Sequence, residues 1–367
     1  MKKRIIWITA DYFIDVDCLL VPYLQQNYKE DHLIDWYVIK TASNKIPIPN
    51  TPNKIFTLKY KGKDPRIIGE YKQIFNHINP KKSDLIYSNF LGVPYYFPYL
   101  LFYTQKNIPI VHAAHNVIPY KGWPSKRLMT WYIDFIFKQN EYFQLFSKHL
   151  LEYFENNYSK KQILVCPMTT KGYGIERTNK YDIDKSKCNL LFFGNVKRNK
   201  RLDLLIDTIK SLSPEKQNKI HLTIAGNCDE PETYIRKIGN NNTISCHFHR
   251  IEDDEVPELF MKHQYLVLPY ENVAQSGPHM IAYHYNLPVI ASNIAGMAEY
   301  ITDGETGFLF KVNDKDSLKG VLEKVTSLTL EEYIRIKNNL QQYVDKSHSL
   351  AVISKKYISF FNLIQKR

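Results

Sequence analysis

Three short stretches of this chain combine residue types that can do chemistry. The run Gly194-Asn195-Val196-Lys197-Arg198-Asn199-Lys200 sets a glycine and a string of cations directly after an apolar segment. The run Gln275-Ser276-Gly277-Pro278 joins a hydroxyl to a proline, which suits the first helical position because its missing N–H would have no partner there. Ser276 or Gly277 can cap that helix, so that its free N–H groups face the loop with the positive end of the helix dipole. Such a helix start takes phosphate or another anion, and it serves equally as plain helix punctuation. The third stretch is His115-Asn116, an imidazole and an amide at the end of an apolar run; Asp11, Asp15 and Asp17 follow another such run. Imidazoles and carboxylates are the usual acid–base groups.

The elements that must position these residues alternate in type. Residues 4–10, RIIWITA, form a continuous apolar run as expected for a central parallel strand, followed by a helix that opens near Asp17. Asp17 is read either as the cap of that helix or as a carboxylate that binds hydroxyls and acts as a general base. Residues 33–40 and 54–60 read as strands around the loop 44–53, residues 65–78 as a helix, 84–88 as a strand and 92–105 as an aromatic-rich helix. The run 108–113 is again a buried strand and delivers His115 and Asn116 at its carboxyl end, where open α/β sheets bind ligands. A buried structural histidine is the other reading of His115. Residues 120–158 read as one or two amphipathic helices packing aromatics on the core. Trp123, Lys126, Arg127, Met129 and Trp131 at its start suit an anionic bilayer or a lipid-linked molecule as well. A short strand at 160–167 and a polar connection place a domain boundary near residue 170.

The second half repeats the pattern. Residues 189–193 form an apolar strand, and Gly194, the basic loop and an amphipathic helix make a second phosphate-binding turn; a solvated basic loop is the alternative. The strand 221–226 ends at Gly226, a strand at 243–248 leads to Arg250, and strands at 265–268 and 288–291 bracket the Ser276 helix. Residues 316–367 read as helices.

The order of pieces in residues 264–310, with PYENVAQSG, LPVIAS, GMAE and DGETG, resembles the nucleotide-sugar-dependent glycosyltransferases of the GT-B architecture, family 4 above all. The resemblance implies an α/β fold of two Rossmann-like domains facing across a cleft, with a C-terminal helix crossing back to the N-terminal domain. Residues 1–170 with 347–367 would form the acceptor domain, and residues 171–346 the donor domain. It implies that Gln275, Ser276 and Gly277 hold the diphosphate of a nucleotide sugar, with Lys200 as the clamping lysine. The family's arginine position is Asn195 here, so Lys197 or Arg198 supplies the missing charge. Gly194, Gly226, Tyr270, Arg250 and Glu299 complete the implied donor site, with Glu299 or Glu271 at the ribose. His115 is placed near the transferred sugar, and Asp17 stands as a second catalytic candidate. Many retaining members carry two glutamates in the segment before LPVIAS; Val273 and Ile281 occupy those positions.

Cofactor and partner expectations follow. The only co-substrate expected is the nucleotide diphosphate sugar, with no metal, because cations and amide groups take the place of a divalent ion at the leaving phosphate. The acceptor is expected to be a glycan or lipid-linked molecule in bacterial surface polysaccharide synthesis. A nucleotide-sugar 2-epimerase shares the fold and is the nearest alternative. A chain of 367 residues with 44% hydrophobic content can bury two cores. Its net charge of +12 implies an anionic partner. Nucleic acid is not expected, because the lysines are dispersed rather than interleaved with stacking aromatics along one surface. No apolar run reaches the length of a membrane span, and the N-terminal run is read as a strand rather than a signal peptide. Cys18, Cys166, Cys188, Cys228 and Cys246 are scattered and form no CxxC pair, which fits a reducing cytosol, with contact at the inner face of an anionic membrane.

Overall fold

The computed structural model describes residues 2–41, 51–115, 126–158, 160–273 and 275–366. Asn116, Trp123 and most of the loop 44–53 lie outside the described residues. The chain divides into two compact units, Met1–Thr169 with Ser349–Arg367, and Thr170–His348.

The first unit is built on β1 (Lys3–Ala10), β2 (His32–Lys40), β3 (Lys54–Thr57), β4 (Leu85–Asn89), β5 (Ile110–Ala114), β6 (Tyr142–Leu145) and β7 (Gln162–Val165). They form one sheet in the order β3-β2-β1-β4-β5-β6-β7, every pair parallel. Successive residues of β1 feed opposite faces. Ile6, Ile8 and Ala10 enter one core cluster, while Ile5 and Trp7 enter the other. A strand covered on both faces has no use for polar alternation, which is why its sequence is a solid apolar run. The helix Leu350–Ile364 belongs to this unit because Ile353, Tyr357 and Phe361 complete the second cluster, where Trp7 stacks on Tyr87 at 3.9 Å between ring centroids.

Two local expectations are corrected. Residues 126–158 are not helical throughout: β6 separates the helices Lys126–Gln139 and His149–Asn157. Its four residues are too few to break the surrounding aromatic spacing. The chain after β1 turns into helix earlier than Asp17, through a 3-10 turn at Asp11–Phe13 and a short helix Ile14–Asp17. Asp17 ends that helix instead of capping the next one, Leu20–Asn27, whose start carries no side-chain cap.

The second unit carries β8 (Cys188–Phe193), β9 (Ile220–Ala225), β10 (Ile244–His247), β11 (Tyr265–Leu268), β12 (Val289–Ser292) and β13 (Gly307–Phe310). Their order is β10-β9-β8-β11-β12-β13, again all parallel, so both sheets share the strand order of a doubly wound nucleotide-binding fold. The polar connection that opens this unit is fastened by two carboxylates, of which Glu255 accepts from Lys180 Nζ and the Tyr181 hydroxyl, each at 2.6 Å. Glu258 is buried and accepts hydrogen bonds from Thr178 Oγ1 at 2.5 Å, the N–H groups of Lys180 and Tyr181 at 3.0 and 2.8 Å, and Lys262 Nζ at 2.8 Å. Burial alone would raise its pKa, but the hydrogen bonds from Lys262, Thr178, Lys180 and Tyr181 outweigh it and hold the carboxyl at about 2.

A carboxyl held below its unfolded value stabilises the fold above the unfolded pKa and loses that contribution as pH falls through the folded one. Thermal denaturation should therefore show a loss of stability between about pH 4.5 and 2 that Glu258→Gln removes. At neutral pH the same variant should be less stable by roughly 3 kcal/mol, the usual cost of breaking a buried ion pair. An unchanged melting temperature would show that the connection is held by other contacts.

Candidate active site

In the second unit the direction of strand addition reverses between β8 and β11, and the loops leaving those two strands converge on one spot. Gly194 ends β8 with φ +98°, a left-handed conformation open to glycine. Gly226 follows β9 with φ +142°, and a methyl group there would stand 2.4 Å from the Gly194 carbonyl oxygen, so the two backbones approach only because Gly226 has no side chain. A 3-10 turn, Arg198–Lys200, then brings Lys200 back over Gly194. A Cβ built on Gly194 would lie 3.3 Å from Lys200 Nζ and 3.5 Å from Pro278 Cγ. The ammonium also sits 5.4 Å from the ring centre of Tyr270, a cation–π contact. The turn is tied to the loop after β11 by the Glu271 N–H, which donates to the Asn199 carbonyl at 2.8 Å.

The helix Gly277–His284 starts at the same place. Ser276 is its cap: extended in backbone and buried, it accepts the His279 N–H at 3.4 Å. Gly277 is the first helical residue and Pro278 the second, a shift of one from the sequence reading, and the missing N–H of proline is still without cost in the first turn. A Cβ on Gly277 would meet no heavy atom within 4 Å, so the helix start faces open space. Tyr270 and the Gln275 amide bring polar atoms to this loop that are buried and unpaired among the described residues.

The electrostatics of this cluster depend on desolvation. Burial, with the neighbouring charge of Lys197 second, lowers the pKa of Lys200 to about 8. Asn195 and Arg198 are exposed on the same turn. Arg250 pairs with Glu252 at 3.4 Å, and Glu299 closes the short helix Ala295–Ala298 within electrostatic reach of Tyr343. Val273 is half-buried and Ile281 is buried in the core, so no carboxylate stands at either position.

The first unit has its own cluster at the matching point of its sheet, between β1 and β4. His115 follows β5 and lies between two rings, Phe13 at 3.6 Å and 11° and Phe146 at 4.2 Å and 24°. Its Nε2 meets Asn89 Oδ1 at 2.7 Å, and Asn89 Nδ2 donates to Asp17 Oδ2 at 3.0 Å. Asp17 also accepts from Thr9 Oγ1 at 2.6 Å, and Thr9 in turn accepts from Trp36 Nε1 at 2.9 Å.

This chain of bonds has one consistent direction. An ionised Asp17 can only accept, so it takes the NH2 end of the Asn89 amide and leaves the carbonyl end for His115. His115 therefore carries its proton on Nε2, and in the neutral ring Nδ1 is the basic nitrogen. Asp17 is wholly buried, and burial, offset by the bonds from Thr9 and Asn89, raises its pKa to about 6. That corrects the sequence expectation of a carboxylate presented to hydroxyls: Asp17 positions Asn89 and, through it, His115. The neighbouring Asp11 is also buried and accepts from the N–H groups of Tyr12 and Thr41 at 3.0 and 2.9 Å. Asn89 and Phe13 escaped the sequence reading. An amide closing an apolar strand next to β1 was the available sign of the first, and nothing in the sequence marked the second as a stacking partner.

The Lys200 ammonium attracts an anion only while protonated. Binding of inorganic pyrophosphate, measured by calorimetry, should weaken about tenfold between pH 7 and 9 as the group titrates near pH 8. Lys200→Met should bind weakly at both values, and a pH-independent wild-type affinity would remove Lys200 from the anion site.

Residues 175–343 match the family model for glycosyl transferases group 1. A protein of the cps region of Klebsiella pneumoniae is 27% identical over 187 residues, which cover 51% of this chain and 49% of that one. The structure of sucrose-phosphate synthase from Thermosynechococcus elongatus superposes with a TM-score of 0.79 at 14% identity, covering 99% of each chain. Anabaena HepE in complex with UDP and glucose gives a TM-score of 0.74 at 14% identity, over 98% of this chain and all of the other. With two parallel Rossmann-like sheets and these structural neighbours, the chain has the GT-B fold, and its second unit carries the region that matches the glycosyl transferases group 1 model.

Proposed function

We propose that the protein transfers a sugar from a nucleotide diphosphate sugar to a glycan or lipid-linked acceptor in bacterial surface polysaccharide synthesis. The observation that carries this reading is the meeting of a desolvated lysine, two side-chain-free strand ends and an open helix start at one point of the second unit. As the sugar–phosphate bond breaks, negative charge grows on the diphosphate. The Lys200 ammonium and the first-turn N–H groups after Ser276 take up that charge without reorganising. This division of labour asks for no divalent ion at the phosphates.

The complex of HepE with UDP and glucose supports a nucleotide-linked donor, and the cps-region relative supports the polysaccharide context. In this reading the first unit serves the acceptor, with His115 held by Asn89 as its Nε2–H tautomer. No helix among the described residues is long and apolar enough to cross a membrane. The cationic chain would work at the inner face of an anionic membrane, drawn there by charge.

Nucleotide sugars should be screened for thermal stabilisation, where a true donor at a hundred times its dissociation constant adds about 2.7 kcal/mol. Lys200→Ala should lose donor turnover with its circular dichroism unchanged, and EDTA should leave the wild-type rate as it was. A rate restored only by added Mg²⁺ would overturn the metal-free reading. Conversion of the donor sugar with no acceptor present would point instead to an epimerase. His115→Ala should lower kcat by two orders of magnitude or so, the usual range for a positioned acid–base group, with KM for the donor little changed. An unaltered kcat would make His115 structural.

A further inference from the structure

The cations of the second unit do not all have the same kind of partner. Arg201, on the turn after β8, pairs with Asp203 at 3.1 Å, and Lys180, Lys237 and Lys262 each hold a carboxylate at 2.6, 2.6 and 2.8 Å. Among the described residues Lys200 has no carboxylate beside it, and the charge that acts on it is the like charge of Lys197. What faces its ammonium instead is the ring of Tyr270, with the centre 5.4 Å away. Tyr270 is 2% exposed, and burial pushes its phenol pKa up, so the ring stays neutral.

The elements packed around the ammonium bring it no counter-charge. On its own turn Lys197 and Arg198 are exposed cations, and Arg201 is neutralised by Asp203. On the loop after β11, Glu271 is exposed and acts on Arg201. On the helix Gly277–His284, Pro278 stands over Gly194, and His279 is buried and uncharged, its pKa lowered by burial to about 3. An ammonium that has lost water needs an attraction to stay protonated, and either a carboxylate or the negative face of an aromatic ring supplies one. The two differ in what they leave free. A carboxylate would accept the ammonium's N–H groups and repel an arriving phosphate, whereas a ring face attracts the charge and carries none of its own.

We propose that Tyr270 is a positioning residue for Lys200: its ring face holds the ammonium over Gly194 in the cationic form and leaves the N–H groups free for an anion. That the anion is the diphosphate of a sugar donor rests on the glycosyl-transfer reading; the hold of the ring on the ammonium does not. The Tyr270 hydroxyl has no part in it, because the negative face belongs to the ring.

The test reads the titration of Lys200 itself, by carbon NMR of the full chain with isotopically labelled lysine side chains, the signal being assigned by its loss in Lys200→Met. The wild type should titrate at about pH 8, and Tyr270→Phe should keep that midpoint. A ring-fluorinated phenylalanine at position 270 keeps the shape but drains the negative face, and Tyr270→Leu removes the ring; both should lower the midpoint by about one pH unit. A midpoint that ring fluorination leaves in place would overturn the proposal, even where Tyr270→Leu does not fold. Calorimetry with inorganic pyrophosphate gives a second readout. Against Tyr270→Phe, the fluorinated chain should bind about fivefold more weakly at about pH 8 and equally well at about pH 6, where Lys200 is protonated in both. Equal weakening at the two pH values would make the ring a packing element and overturn the proposal as well. A shifted Lys200 titration in the variants, with no pyrophosphate binding by the wild type, would sink the donor reading and leave the role of Tyr270 standing.

Discussion

Where a parallel sheet reverses its direction of growth, the loops leaving the two central strands must part to opposite faces, because each crossover is right-handed. Both halves of this molecule depend on that constraint. Between β8 and β11 the parted loops leave room for the Gly194 turn and the Ser276 helix start to approach one another. Between β1 and β4 they leave room for Asp17, Asn89 and His115 to line up. Each cluster uses side chains from elements far apart in sequence, and each would be scattered by any other strand order.

Desolvation acts on the two clusters with opposite sign. It lowers the proton affinity of Lys200 and raises that of Asp17, since in both cases the charged form loses water. The consequences differ with geometry. Lys200 stands over a glycine at the edge of open space, where an arriving anion restores what burial took away. Asp17 lies under its cluster, fully enclosed, and its charge is spent on orienting an amide. A carboxylate in that position directs a neighbour and does not reach a substrate. The same low dielectric acts beside His115, where, among the described residues, the Tyr71 hydroxyl and His112 Nδ1 are buried without a hydrogen-bond partner.

The strands were legible because parallel strands covered on both faces are written as unbroken apolar runs: RIIWITA, NLLFF and LTIA stand out from their polar surroundings. β6 was not, because YFQL is short and sits between helices whose aromatics already fall at regular spacing. The helix after β1 was misplaced for a related reason. Three acids in sequence look like a helix start, yet Asp11 and Asp17 are drawn inward by partners that the local sequence does not reveal, Thr41 for one and Thr9 with Asn89 for the other. At the candidate site, Lys200, Ser276 and Gly277 announced themselves through residue type and spacing. Their meeting with Tyr270 and Pro278 did not.

The amino-acid sequence by itself determined the alternation of strands and helices, the left-handed glycine that ends β8, the cap of the Ser276 helix and the clustering of cations after Gly194. All of these follow from interactions over a few residues, where backbone preference and hydrophobic period decide. Only the tertiary structure decided that Lys200 is desolvated, that Asp17 speaks to His115 through Asn89, and that a cavity opens at the carboxyl ends of the first unit's strands. Those properties depend on what surrounds a side chain in space, and burial by distant segments is set by how the sheets and helices pack.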